Sequence, residues 1–201
     1  MMAMSPRRSR GRPREFDEAQ ALDGAIALFS ATGFSAASIA DLQEATGLTG
    51  GSLYKAYHDK EGMFAHALQR YVASQEQRIS DIIGGSETAA TRIMRLIRLY
   101  AELSRGAQGR RGCMVVGAVT ELGQLGDTAE LVRTMLVRRR AILCQLIAEG
   151  QRDGSISALE RPEDVADALL ALFSGMRLLG KAQLFPKDHE AFVGLALKLL
   201  G

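Results

Sequence analysis

The chain has 201 residues, 47% apolar and 24% charged, with a net charge of +2 at pH 7. That composition excludes a disordered chain, and the length allows one large domain or two small ones. The most apolar window, Val165 to Leu179, is broken by Asp167 and Arg177 and falls short of the roughly 20 apolar residues that cross a bilayer. No apolar stretch follows the basic N-terminus as a secretory signal requires, so a cytoplasmic location without membrane partners is expected.

Cys113 and Cys144 are far apart and lack metal-ligand or redox spacing, and His58, His66 and His189 do not join them. Free thiols, no metal and no cofactor are expected. The charge is unevenly placed. Residues 1–14 hold Arg7, Arg8, Arg10, Arg12 and Arg14 and no acid, so the remainder is net acidic. These residues read as a disordered basic arm suited to a polyanion.

Helical periodicity follows almost throughout, and strand signals are nearly absent, which predicts an all-α fold of about nine helices. The first helix starts near Asp17, with Gln20 at capping-box spacing, buries Leu22, Ala25, Ile26 and Phe29, and ends at Gly33. A second, capped by Ser38 with Asp41, turns Ile39 and Leu42 inward and stops at Gly47. A third covers about Thr49 to Tyr57, anchored by Leu53 and Tyr57. Asp59 caps a longer fourth helix with Met63, Phe64, Ala67, Leu68 and Tyr71 on its apolar face. After Gly84 and Gly85 come a fifth helix over 86–104, a glycine-arginine loop over 106–112 and a sixth helix over 113–122. A seventh over 127–150 is capped by Asp127 and Glu130, an eighth covers 162–182, and a ninth covers 189–200. Arg138, Arg139 and Arg140 point in different directions on the seventh and read as partly paired surface. The expected division is the arm at 1–14, a three-helix head at 15–70 and an all-helical body at 71–201.

The informative segment is SIADLQEATGLTGGSLYKAYHDK, from Ser38 to Lys60. It reads as helix, tight glycine turn, helix. Helices this short bury little by themselves and must lean on the first and fourth. That leaves the outer face of the third free, and a helix fits the DNA major groove. Gly50, Gly51 and Ser52 let the backbone approach a duplex, and Thr49 and Ser52 offer hydroxyls. The helix N-terminus offers unsatisfied N–H donors. Tyr54, Lys55 and Lys60 supply a phenol and two cations, and Ser38 can reach a phosphate across the groove edge. Ser52 and Lys55 are the candidates for base contacts.

The stretch from Arg12 to Phe64 resembles the DNA-binding domain of the TetR family of bacterial transcription regulators. Ala27, Leu28, Phe29, Gly33, Phe34, Ser38, Ile39, Ala40, Gly47, Gly51, Leu53, Tyr54, Tyr57, Lys60, Glu61 and Phe64 carry the likeness. It implies DNA contacts at Ser38, Thr49, Gly50, Gly51, Ser52, Tyr54, Lys55 and Lys60. Gly50 and Ala56 depart from the larger polar residues frequent in the family, a loss that the arginine arm would offset.

The resemblance further implies a homodimer through the last two long helices, with Leu169, Leu172, Phe173, Met176, Phe192 and Leu195 as interface candidates. A two-fold dimer also suits a palindromic double-stranded operator. A cavity among the fifth to seventh helices is implied as well, for a small hydrophobic ligand, with Met94, Tyr100, Cys113, Met114, Val116 and Met135 as candidate lining. The expected function is a repressor released by ligand, through displacement of the fourth helix and respacing of the two recognition helices. The alternative is a thiol sensor acting through Cys113, which follows Arg110 and Arg111 at a helix start. An enzyme is not expected: no nucleophile–base pair, metal cluster or phosphate-binding loop is present. A DNA-binding architectural protein differs from a sensor by a tightly packed second domain. A cavity of several hundred Å³ marks the sensor.

Overall fold

The computed structural model describes residues 17–198. The basic arm and the last residues of the expected ninth helix lie outside them. Among the described residues the fold is all-α: α1 (Glu18–Thr32), α2 (Ile39–Thr46), α3 (Gly50–Tyr57), α4 (Lys60–Ile83), α5 (Ala89–Leu103), α6 (Gly106–Arg111), α7 (Met114–Thr120), a 3-10 turn (Leu122–Gln124), α8 (Thr128–Asp153), α9 (Pro162–Lys181) and α10 (His189–Leu197).

The first four helix starts are written locally. The Asp17 carboxylate accepts from the Gln20 amide at 3.1 Å. Ser38 and Asp41 close a reciprocal box, with Ser38 N–H donating to Asp41 at 2.9 Å and Asp41 N–H to the Ser38 hydroxyl at 3.1 Å. Thr49 accepts from the Ser52 amide at 3.2 Å, and Asp59 from the Gly62 amide at 2.7 Å. Each bond satisfies a donor that the helix itself cannot.

Two expectations fail, both for tertiary reasons. Residues 106–111 form α6 rather than a loop. Its Gly109 lies against the Ser104 carbonyl, where an added Cβ would come within 2.4 Å, and a Cβ on Gly180 of α9 would lie 2.5 Å from the same carbonyl oxygen. These glycines permit a backbone-close crossing; they do not break the chain. Asp127 makes no side-chain cap on α8. The Glu61 carboxylate reaches over from α4 and accepts from the Thr128 amide at 3.4 Å and hydroxyl at 3.3 Å.

Two buried clusters hold the molecule together. The first centres on Phe29, Phe34 and Phe64, whose rings meet edge-to-face at 4.9 and 5.1 Å across Phe64. It includes Leu42, Leu53 and Tyr57, and continues into Met114, Val115, Leu125 and Val132 of the body. The second packs Ile93, Leu96, Ile97, Leu143, Ile147, Leu169, Phe173 and Met176. The expected division at residue 70 falls inside α4, which serves both clusters: Met63 to Val72 in the first, and Ile79, Ile82 and Ile83 against the second. Within the head, α1 and α2 cross at Gly24, where a Cβ would lie 2.0 Å from the Ala45 carbonyl oxygen, so only glycine fits.

Candidate nucleic-acid interface and sensor cavities

α3 is held by its inner side. Leu53 is fully buried and Tyr57 nearly so, while Thr49, Gly51, Ser52, Lys55 and Tyr54 (51% exposed) face solvent. Thr49 donates its hydroxyl to Ser52 Oγ at 3.0 Å while capping the helix, so Ser52 keeps its own proton to donate outward. Gly50 is half-buried, its Cβ position 3.2 Å from Gln43 Nε2 of α2. A larger residue there would press on α2.

Two of the expected contact residues are engaged within the protein. Lys60 Nζ donates to the carbonyls of Phe34 (2.9 Å), Ser35 (3.4 Å) and Ala37 (2.9 Å), and stands 4.5 Å from the centre of the Phe34 ring. An ammonium has three donors, so this lysine fastens the α1–α2 turn and is not a free cation for phosphate. Ser38 is exposed, but its hydroxyl proton goes to Asp41 at 2.7 Å. That bond, with the Ser38 amide, holds the Asp41 carboxyl below the usual carboxylate range. Lys55 is then the one cation on α2 and α3, against Asp41 and Glu44 on α2.

The head is pinned to the body by residues that no sequence spacing singles out. Glu121, just past α7, accepts from the Phe34 amide at 2.6 Å and the Ser35 amide at 3.1 Å, and Gln124 meets the Ser35 hydroxyl. Glu61 caps α8 as described, and Lys181 of α9 donates to the Ser30 carbonyl of α1 at 3.2 Å. Each pair is separated by tens of residues or more, so nothing local signals it.

In the body the Tyr100 and Phe173 rings stack at 4.2 Å, 9° from parallel, and stand in the walls of two cavities. One, of about 400 Å³, is lined by Val72, Ile79 and Ile83 of α4 with Leu96, Met135 and Ile142. The other, of about 430 Å³, is lined by Cys113, Val116, Val119, Leu136, Leu170 and Arg177. Arg139 borders both. The expected lining residues Tyr100, Cys113, Val116 and Met135 therefore do face cavities. Met94 and Met114 do not: Met94 packs on the second cluster and Met114 is buried in the first. Periodicity places both methionines inward without telling core from cavity wall.

Cys113 is half-buried and accepts a hydrogen bond from the Tyr71 hydroxyl at 3.5 Å. Burial, with Cys113 beside it, pushes the Tyr71 phenol upward, so it stays a neutral donor. Arg110 and Arg111, the expected cationic neighbours, are exposed; the arginines that share the cavity with Cys113 are Arg139 and Arg177. Arg138 pairs with Glu76 at 3.7 Å, and Arg140 with Asp167, as partial pairing of that run requires.

Among the expected interface residues, Leu169, Phe173 and Met176 are buried in the protomer itself. They form the second core, because α9 turns that side toward α5 and α8. Leu172 and Phe192 are half-buried, Leu195 is 63% exposed, and Leu178, Leu179 and Leu184 are exposed as well. Among the described residues no helix is long and apolar enough to cross a membrane.

A family model described as bacterial regulatory proteins, tetR family, matches residues 21–67. The HTH-type transcriptional repressor ComR of Escherichia coli (strain K12) is 30% identical over 197 residues, covering 96% of this chain and 93% of its own length. The HTH-type transcriptional repressor DhaR of Mycobacterium sp. (strain GP1) is 26% identical over 179 residues, 86% of each chain. A solved structure of the TetR family regulator CifR, a cysteine mutant complexed with 26bp double-strand operator DNA, superposes with a TM-score of 0.83 at 28% identity, covering 93% of this chain and 98% of that one. With the all-helical layout, the outward α3 and this full-length similarity together, the chain belongs to the TetR family of bacterial regulatory proteins, which are transcription regulators and not enzymes.

Proposed function

We propose that this protein is a homodimeric repressor that holds a palindromic operator and lets go when a small molecule enters its body. One observation carries the reading: the Thr49, Gly51, Ser52, Tyr54 and Lys55 face of α3 points to solvent while Leu53 and Tyr57 anchor its back. Two such helices, one turn of DNA apart, read two half-sites. The partner contact runs through the outer side of α9 and α10, where Leu178, Leu179 and Leu195 leave apolar surface uncovered. Cavities of about 400 and 430 Å³ suit a sensor better than an architectural protein.

The relatives named repressors, and the operator-bound neighbour, support the direction of control. The test is selection from a random duplex library followed by fluorescence anisotropy on the winner. A palindromic site bound by two protomers is expected. Lys55→Ala, at a candidate base contact, should weaken binding to the selected site more than to unrelated duplexes and so relax specificity. A library that returns no enriched sequence refutes the proposal.

A second reading, thiol sensing, is favoured by the Tyr71 hydrogen bond to Cys113, which lines the cavity between α7, α8 and α9. Release by an alkylating electrophile that persists undiminished in Cys113→Ser would dismiss it.

A further inference from the structure

Two arginines are buried in the body, each with one buried N–H that has no partner, but only one of them has an ion pair. Arg92 donates to the Ile83 carbonyl at 2.8 Å and pairs with Glu149. Arg177, 5% exposed, has a single partner among the described residues, the Gly112 carbonyl, and its Nη1 is buried with none. Among the described residues no carboxylate faces it as an ion-pair partner. Asp167, the acid on the same cavity wall, is gripped by the Arg140 fork, which holds its carboxyl below the usual range. Arg139, the other cation on that wall, makes no ion pair among the described residues. The remaining wall is aliphatic: Val116, Val119, Leu136 and Leu170. A guanidinium removed from water with an unsatisfied N–H is unfavourable unless an anion completes it.

We infer that the cavity between α7, α8 and α9 takes a compact apolar molecule bearing one carboxylate, with that carboxylate received by Arg177. The inference rests on the ligand-released reading above and names its ligand class. A carboxylate accepts the paired N–H donors of a guanidinium, which a neutral amide or alcohol matches poorly. The site also explains how occupancy reaches the head. The same guanidinium holds the Gly112 carbonyl, and Gly112 lies against α1, its Cβ position 3.0 Å from the Ser30 carbonyl oxygen. Drawing Arg177 toward a ligand loosens that joint. Val116 and Val119, on α7 two turns or less from Glu121, transmit the ligand's bulk to the α1–α2 turn.

The experiment uses full-length protein and matched probes: hexanoate, benzoate and phenylacetate, each beside its primary amide. Binding is read by thermal shift and calorimetry, and operator release by anisotropy. At least one carboxylate should bind tenfold or more tighter than its amide. Arg177→Gln, which keeps a donor for Gly112, should erase the difference. Should Arg177→Gln fail to fold, Val116→Phe decides: filling the cavity must abolish carboxylate binding while operator binding persists. Amides that bind as well as their acids, a panel that does not bind, or a preference that survives Arg177→Gln or Val116→Phe overturns the inference. Carboxylate binding without operator release leaves this site standing and refutes the ligand-released reading instead. Failure of the whole panel with operator binding intact removes this inference alone.

Discussion

Glu121→Ala isolates the joint between head and body. The Glu121 carboxylate receives two backbone donors, Phe34 N–H at 2.6 Å and Ser35 N–H at 3.1 Å. Phe34 is buried, so its amide has no water to turn to when the carboxylate goes; Ser35 is exposed and can be rehydrated. A charge-assisted bond to a buried donor is worth about 1.5–3 kcal/mol, and the exposed one close to nothing. The expected loss is about 2 kcal/mol. For a chain of this size each kcal/mol lowers Tm by about 2–4 °C, so the variant should melt roughly 4–8 °C lower. Glu121→Gln keeps one acceptor oxygen and should lose about half as much. Circular dichroism melts of the three proteins at equal concentration decide the matter. A Glu121→Ala melt indistinguishable from the parent would mean that the amide finds another acceptor and the pin is not one.

Phe64→Ala removes the ring that both Phe29 and Phe34 meet edge-on, and should cost about 3–5 kcal/mol in equilibrium urea unfolding. Removal of residues 1–13 should flatten the salt dependence of operator binding by about 0.9 for each phosphate that the arm no longer neutralises, measured by anisotropy across a salt series; an unchanged slope contradicts a role for the arm. Asp23 is held below the usual carboxylate range by its hydrogen bond to Arg70, which links α1 and α4. Its stabilising effect is present above about pH 4 and fades as pH falls through the lowered folded value. Asp23→Asn should therefore melt lower than the parent at neutral pH, with the gap closing in acid. A gap constant with pH would show that the ion pair contributes nothing.

The head is readable because its determinants are local. Asp17, Ser38, Thr49 and Asp59 each bond an amide three residues on, and the inward positions of α1 to α4 repeat at helical spacing. Sequence reasoning fails where a partner is remote. It takes Lys60 for a phosphate contact, though its three carbonyls lie 23 to 26 residues back. It takes Gly106 to Gly112 for a loop, because a glycine that lets two helices touch looks the same in a sequence as one that ends a helix. It assigns Leu169, Phe173 and Met176 to a partner, because the number of apolar residues on α9 does not say which side meets α5 and α8. Glu121 carries no signal, and Glu61, though part of the family resemblance, gives no sign of its partner, since an isolated glutamate at the surface and one that caps a distant helix are identical in a sequence.

These long-range partners change where the lever sits. The expected route runs through α4, and α4 does border one cavity with Val72, Ile79 and Ile83. Yet α4 is buried in the first cluster and packs Ile79, Ile82 and Ile83 on the second, so displacing it must disturb both at once. α7 is seven residues long, borders the other cavity through Val115, Val116 and Val119, and ends beside the glutamate that caps the α1–α2 turn. A short helix with one face on a cavity and its end on a hydrogen-bonded pin moves at smaller cost than a 24-residue helix shared between cores. Under the proposed function, an occupant of the Arg177 cavity would therefore act on α3 by tilting α7, with α4 following as the head turns.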